Sequence, residues 1–111
     1  MRTSVTRAFS FEAAHQLPWH EGKCQRLHGH SYRLEVTVTG PVREDGMVID
    51  FADLKAVVDR EVIERFDHQY LNDFFENPTA EVVAAEVWKS IEAAGFGVTR
   101  IRLWELSLIH I

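Results

Sequence analysis

The sequence predicts an α+β domain built on an antiparallel sheet. Three observations carry this reading. Ser31 to Thr39 alternates between apolar and polar side chains, the period of a half-buried strand. Two later stretches, Leu54 to Phe66 and Val83 to Ala94, place apolar residues at helical spacing. Strand-like segments stand on both sides of that helical pair, so the order is two strands, two helices and a strand.

The elements follow in order along the chain. From Thr6 to Ala13, Phe9, Phe11 and Ala13 share one parity, as on one face of a strand. Residues 15–27 mix Pro18, Gly22 and polar groups and read as a loop. In the second strand Tyr32, Leu34, Val36 and Val38 oppose Arg33, Glu35, Thr37 and Thr39. Gly40-Pro41 ends it, Glu44-Asp45-Gly46 signals a turn, and Met47-Val48-Ile49 reads as a short extended segment. Asp50 or Asp53 can cap the first helix, whose apolar stripe is Leu54, Val57, Val58, Val62 and Phe66. Residues 67–77 connect to Asn77-Pro78. Thr79 then caps a second helix with Val83, Val87, Ile91 and Ala94 on one face, stopped by Gly95 and Gly97. Val98 to Glu105 is a third strand, with Ile101, Leu103 and Glu105 on one parity.

Composition bounds the function. The 111 residues are 46% apolar and 26% charged, which excludes a disordered chain, a collagen-like chain and a disulfide scaffold. One domain of this length buries a modest core, a limit that assembly would relieve. Twelve Lys and Arg against seventeen Asp and Glu leave a net charge of −5, so a nucleic-acid role has no electrostatic support. A single Cys beside several His reads as an intracellular site. No apolar run approaches the roughly 20 residues that cross a bilayer, and Met1 to Arg7 lacks the apolar stretch of a signal peptide. The expectation is a cytoplasmic protein with no membrane and no nucleic-acid partner.

The last six residues, Leu106-Ser107-Leu108-Ile109-His110-Ile111, match in frame the translation of a transposon-based sequencing adapter. They read as a non-native tail, so that the domain spans 1–105, a fourth strand is truncated and His110 leaves the set of candidate ligands. The alternative is an apolar terminal strand that happens to match.

Chemistry concentrates around His28-Gly29-His30. At the start of a strand, residues i and i+2 project to one face, so both imidazoles can reach one ion. His15 lies just past the first strand, on the Phe9/Phe11/Ala13 parity, and a hairpin would bring it beside the pair. Three neutral imidazoles with an open fourth position describe a catalytic zinc site. The competing reading is three loop or surface histidines. Cys24 lies four residues before His28, between Lys23 and Arg26, cations that favour the thiolate. It can face the metal pocket as a base, or close the site as a fourth ligand, or pack as a small hydrophobe. In Asp67-His68 a carboxylate can orient an imidazole, although adjacent side chains usually point apart and a solvated helix end is the plainer account. Glu105 is an acid on an apolar parity, so it should face a ligand or a cation, unless the strand simply ends there.

These residues together resemble one family, 6-carboxytetrahydropterin synthase of the 6-pyruvoyltetrahydropterin synthase superfamily. The matching stretches are Phe11-Glu12-Ala13-Ala14-His15, Lys23 to His30, Gly46 to Lys55, Asp67-His68 with Leu71-Asn72-Asp73, and Asn77-Pro78-Thr79-Ala80-Glu81. Three residues separate Cys24 from His28, as in the 6-carboxy enzymes; the pyruvoyl enzymes typically place five. The resemblance implies the tunnelling fold, a four-stranded antiparallel sheet with two helices on one face. It implies sheets joined into a barrel, as trimers stacked into a homohexamer, with active sites between subunits. It also implies zinc on His15, His28 and His30, Cys24 as proton acceptor, Asp67 and His68 as its relay, and Glu105 gripping the pterin. The implied reaction takes 7,8-dihydroneopterin triphosphate to 6-carboxytetrahydropterin, acetaldehyde and triphosphate, toward queuosine and related 7-deazapurines. Lys23, Arg26 or a neighbour's basic residues would meet the triphosphate. The chain departs from the family pattern after Glu105, where a Thr and a final strand usually follow.

Two rival functions stay open on the sequence. One is a sister enzyme, a pyruvoyltetrahydropterin synthase or an aldolase-like activity. The other is a noncatalytic zinc-stabilised binding domain, which needs Cys24 as fourth ligand and has no use for Asp67, His68 and Glu105.

Overall fold

A computed structural model describes residues 1–21 and 27–109, with side chains through Leu106. Two long strands, β1 (Arg2–His15) and β2 (His28–Pro41), form an antiparallel ladder along their whole length. The third long strand, β4 (Val98–Ile109), pairs antiparallel with the other side of β2. The strands extend two to four residues beyond the sequence-read ends because pairing continues wherever a partner backbone is present. β4 accordingly runs past Glu105, and Leu108 and Ile109 pair with His30 and Gly29.

The sheet has four strands, in order β3-β1-β2-β4. The expectation of a wholly antiparallel sheet needs correction at one edge. β3 (Gln69–Tyr70) is two residues long and runs parallel to β1, with Ala13 opposite Gln69 and Ala14 opposite Tyr70. Two residues show no period, so the segment was legible only as a connection. It follows helix α2 and turns at once into a 3₁₀ turn at Leu71–Asp73.

All helices pack on one sheet face. Helix α1 (Phe51–Val58) starts at Asp50, whose carboxylate accepts from Ala52 N at 2.8 Å. A π-helical turn (Asp59–Ile63) leads into α2 (Glu64–Phe66). The π turn has a physical reason. Leu54, Val58, Val62 and Phe66 recur every four residues and are all fully buried. In an ideal α-helix each such step drifts by about 40°, and the wider π turn absorbs the drift. Helix α3 (Ala80–Ala93) is capped by the Thr79 hydroxyl, which accepts from Val82 N at 3.3 Å. It ends at Gly95, whose φ of +93° a side-chain-bearing residue would resist. Among the described residues no helix is long and apolar enough to cross a membrane.

The core lies between the helices and the inward parity of the sheet. Phe11, Tyr32, Leu34, Val36 and Val38 from the strands meet Leu54, Val58, Phe66, Val83, Val87 and Ile91 from the helices. Phe11 and Tyr32 are cross-strand partners and their rings stack at 4.9 Å. The outward parity is polar. Hydroxyl pairs cross the strands there, Ser4 with Thr39 at 2.6 Å, Thr6 with Thr37 at 2.8 Å and Thr39 with Thr99 at 2.8 Å.

Candidate metal centre and active site

The ladder between β1 and β2 sets the histidine geometry directly. Its register places Ala13 opposite His30 and His15 opposite His28. All three histidines share the parity of Phe11 and Tyr32, so they converge on the helix-packed face at the loop end of the hairpin. Their ring centroids are 4.5, 4.8 and 5.1 Å apart. One ring nitrogen from each lies within 4.8 Å of the others, a group that could hold a metal ion.

Protonation follows from the hydrogen bonds. His15 is 1% exposed, and its Nδ1 lies 2.9 Å from Pro78 O. A carbonyl can only accept, so Nδ1 carries the hydrogen and Nε2 keeps a lone pair. That Nε2 faces His28 Nε2 at 2.9 Å. Tetrahedral zinc holds two imidazole nitrogens about 3.4 Å apart, so this pair is spaced close to what one ion requires. Both ring nitrogens of His30 are buried with no hydrogen-bond partner among the described residues. An unpaired buried polar group is costly, and a metal ion is a partner that imidazole can take here. Burial lowers the pKa of His15 and of His30, against the opposing pull of Glu105. Both therefore rest in the neutral form that ligates metal. Among the described residues, those present fit a three-imidazole centre. His20 Nδ1 is also buried and unpartnered, but that ring packs on Trp19 at 5.6 Å, outside the cluster.

Glu105 reaches the same place from β4. Opposite Tyr32, it follows Ile101 and Leu103 on the inward parity. A bulge between His30 and Tyr32 sets two residues of β4, Leu106 and Ser107, against one of β2, Ser31, and bends the strand at this point. Glu105 Oε2 lies 3.7 Å from His30 Nε2, with the side chain 31% exposed. Tyr32 is fully buried, and its hydroxyl lies 3.5 Å from His15 Nδ1. Burial first, then the charge of Glu105 and a hydrogen bond to it, push the Tyr32 phenol far up, so it keeps its proton.

Asp67 and His68 behave differently from the sequence expectation. Their side chains do meet, with His68 Nδ1 3.1 Å from Asp67 Oδ2. The cause is the backbone: His68 has φ of +59°, a left-handed conformation that turns two neighbours toward each other. The strain is held by two hydrogen bonds to β1. Glu12 N donates to Asp67 Oδ1 at 2.9 Å, and His68 N donates to Glu12 O at 2.5 Å. Glu12 Oε2 stands 3.7 Å from His68 Nε2. Glu12 belongs to the outward parity of β1, opposite to His15. Within one chain, therefore, the dyad is not brought to the histidine cluster. It opens instead on a cavity of about 370 Å³ lined by Glu12, Ala14, Leu27, Gln69 and Tyr70. Cys24, Lys23 and Arg26 lie outside the described residues.

Comparison with known proteins decides the family. Residues 4–108 match the model of the 6-pyruvoyl tetrahydropterin synthase family. The chain belongs to this family. A 6-carboxy-5,6,7,8-tetrahydropterin synthase of Synechocystis sp. is 52% identical over 100 residues, covering 82% of this chain and 76% of that protein. A dihydroneopterin monophosphate aldolase of Pyrococcus furiosus is 38% identical over 108 residues, covering 95% and 91%. The solved 6-pyruvoyl tetrahydropterin synthase of Caenorhabditis elegans superposes with a TM-score of 0.77 at 27% identity, covering 96% of this chain and 97% of that one. The architecture is the tunnelling fold of these enzymes.

Within this family frame, three features escaped sequence reasoning. Pro78 supplies the carbonyl that orients His15, and Glu12 ties the dyad to β1. Tyr32 reads as an ordinary core residue because its parity is apolar. No periodic signal marks any of these three roles; each depends on where an irregular segment runs.

Proposed function

We propose that this pterin lyase of the 6-pyruvoyl tetrahydropterin synthase family converts 7,8-dihydroneopterin triphosphate to 6-carboxy-5,6,7,8-tetrahydropterin, acetaldehyde and triphosphate. The observation that carries the reading is the convergence of three imidazoles, His30 among them with two ring nitrogens that have no hydrogen-bond partner among the described residues, beside the Glu105 carboxylate. His15, His28 and His30 would hold zinc, which supplies a Lewis acid for the oxygens of the substrate side chain.

The other steps belong to the chain's own residues. Glu105 accepts the amino group and ring N–H of the pterin side by side, a charge-assisted pair of bonds that orients the ring. Tyr32, protonated and buried, supports that carboxylate from below. Cys24, as a thiolate between Lys23 and Arg26, accepts protons from hydroxyl-bearing carbons. Asp67 holds the imidazole of His68 for proton relay. Because this dyad faces away from the cluster in its own chain, it serves the cluster of a neighbouring copy, in a homo-oligomer that joins the sheets into a barrel. The triphosphate meets cations of the Lys23–Arg26 segment. The product feeds queuosine and related 7-deazapurines in the cytoplasm. Residues 1–105 form the native domain and 106–111 an adapter-derived tail, which the encoding DNA tests directly.

A second reading draws on the aldolase-type relative, which shares the fold and most of the length. Product analysis separates the two. Mass spectrometry of a reaction with dihydroneopterin triphosphate should show 6-carboxytetrahydropterin and acetaldehyde. A 6-pyruvoyl or 6-hydroxymethyl product would replace this assignment with the sister activity.

A further inference from the structure

The Leu71-Asn72-Asp73 stretch has no role in the reading above, yet its side chain Asn72 makes an unusual contact. The carboxamide meets the main chain of Gln16 twice. Gln16 N donates to Asn72 Oδ1 at 2.9 Å, and Asn72 Nδ2 donates to Gln16 O at 2.9 Å. Only one orientation of the amide satisfies both bonds, so the assignment of O and N is fixed by the partners.

The position of this contact gives it meaning. The edge of β1 is paired rung by rung from residue 12 onward. His68 N donates to Glu12 O, Gln69 faces Ala13 and Tyr70 faces Ala14. At Leu71 the main chain leaves the ladder for a 3₁₀ turn, anchored by the fully buried Leu71 side chain. The next rung would be at the strand end that carries His15. Asn72 supplies it with a side chain in place of a strand. A few residues on, Pro78 O receives His15 Nδ1–H. His15 is thus held by its ring at Pro78 and by its flanking main chain at Tyr70 and Asn72, all from one segment.

We infer that Asn72 is a positioning residue for the metal centre, fixing the backbone at Gln16 so that His15 Nε2 stays aimed at His28 and His30. The inference rests on the metal-centre reading above. A small shift in one ligand weakens binding, and residues that orient ligands typically change metal affinity 10–100-fold. Asn72→Ala removes both bonds. Asn72→Asp keeps the acceptor for Gln16 N and sets an oxygen against Gln16 O.

The test measures zinc affinity of the full chain by chelator competition, the cobalt(II) visible spectrum at saturating cobalt, and urea stability in chelator. We expect Asn72→Ala to weaken zinc at least tenfold and to alter the cobalt band positions while the variant remains folded. Asn72→Asp should alter the cobalt spectrum in the same way, and carries the test if the alanine variant does not fold. Folded variants with wild-type zinc affinity and an unchanged cobalt spectrum would reduce Asn72 to a structural tie and overturn the inference, even if urea stability falls. Failure of the wild-type chain to bind either metal would instead overturn the metal-centre reading itself.

Discussion

Replacing His30 by alanine separates a metal ligand from a core residue by the sign of its effect in two conditions. In the metal-free protein His30 contributes packing but buries two ring nitrogens with no hydrogen-bond partner among the described residues. Loss of packing at a buried position costs about 2–5 kcal/mol. Removing an unsatisfied buried polar group returns about 1–3 kcal/mol, and there are two of them. These terms offset, so His30→Ala should cost less in chelator than truncating an apolar side chain at the same position. With zinc the balance differs. A ligand that binds only the folded state adds about 2.7 kcal/mol at 100 times its dissociation constant. The variant forfeits that increment because two imidazoles remain. Urea unfolding with and without zinc, together with metal content after dialysis, reads both numbers. Equal destabilisation of the variant in zinc and in chelator, or retention of one zinc per chain, would refute the reasoning.

Four further outcomes follow from the same geometry. Burial depresses the pKa of His15 and His30, so stability from their neutral forms is present above the ordinary imidazole range and is lost as pH falls through the lowered values; zinc affinity should hold near neutrality and fall steeply on acidification below about pH 6, and flat affinity down to pH 5 contradicts it. Cys24→Ala should keep zinc and fold but lose turnover, whereas loss of zinc makes Cys24 a ligand and favours the structural-site rival. Glu105→Gln should weaken pterin binding by about 1.5–3 kcal/mol, roughly 10- to 150-fold, with zinc stoichiometry unchanged; wild-type affinity removes Glu105 as the anchor. Mixed oligomers of Cys24→Ala and His68→Ala chains should recover turnover that neither shows alone, and hybrids verified by native mass spectrometry that stay inactive place the relay within one chain.

Much of the site was legible because strands are periodic. Parity alone aligned His15 with Phe11 and Ala13, and His28 with His30. Antiparallel pairing then left one way for a hairpin to bring them together. Glu105 was legible for the same reason, since an acid two residues after Leu103 on a buried parity is an exception that asks for a partner. The bulge between His30 and Tyr32 begins beyond Glu105, which stays in register with Ile101 and Leu103 and so keeps their face. Helix caps at Asp50 and Thr79 were readable because the chemistry of a cap is local.

What could not be read depends on the irregular segment from residue 67 to residue 78. A single sign of φ at His68 decides whether Asp67 and His68 point apart, as neighbours usually do, or touch. No side-chain pattern encodes that sign; Glu12 imposes it through its main-chain N–H and C=O, which every residue but proline offers. The parallel pairing at Gln69 and Tyr70 is too short to carry a period, and the rung made by Asn72 is invisible unless the path of the chain is known. The same segment also carries the carbonyl that sets the His15 tautomer. The histidine cluster therefore lies on two regular strands, while the contacts that orient His15 and the Asp67–His68 pair lie in one aperiodic strap laid along their edge. A strap that touches opposite faces of β1 at Glu12 and at His15 is placed to serve two different sites at once. One is the histidine cluster of its own chain, through Asn72 and Pro78. The other is whatever meets the outward cavity beside His68. That division explains why the dyad and the histidines are close in sequence pattern, yet separated by a sheet in the folded chain.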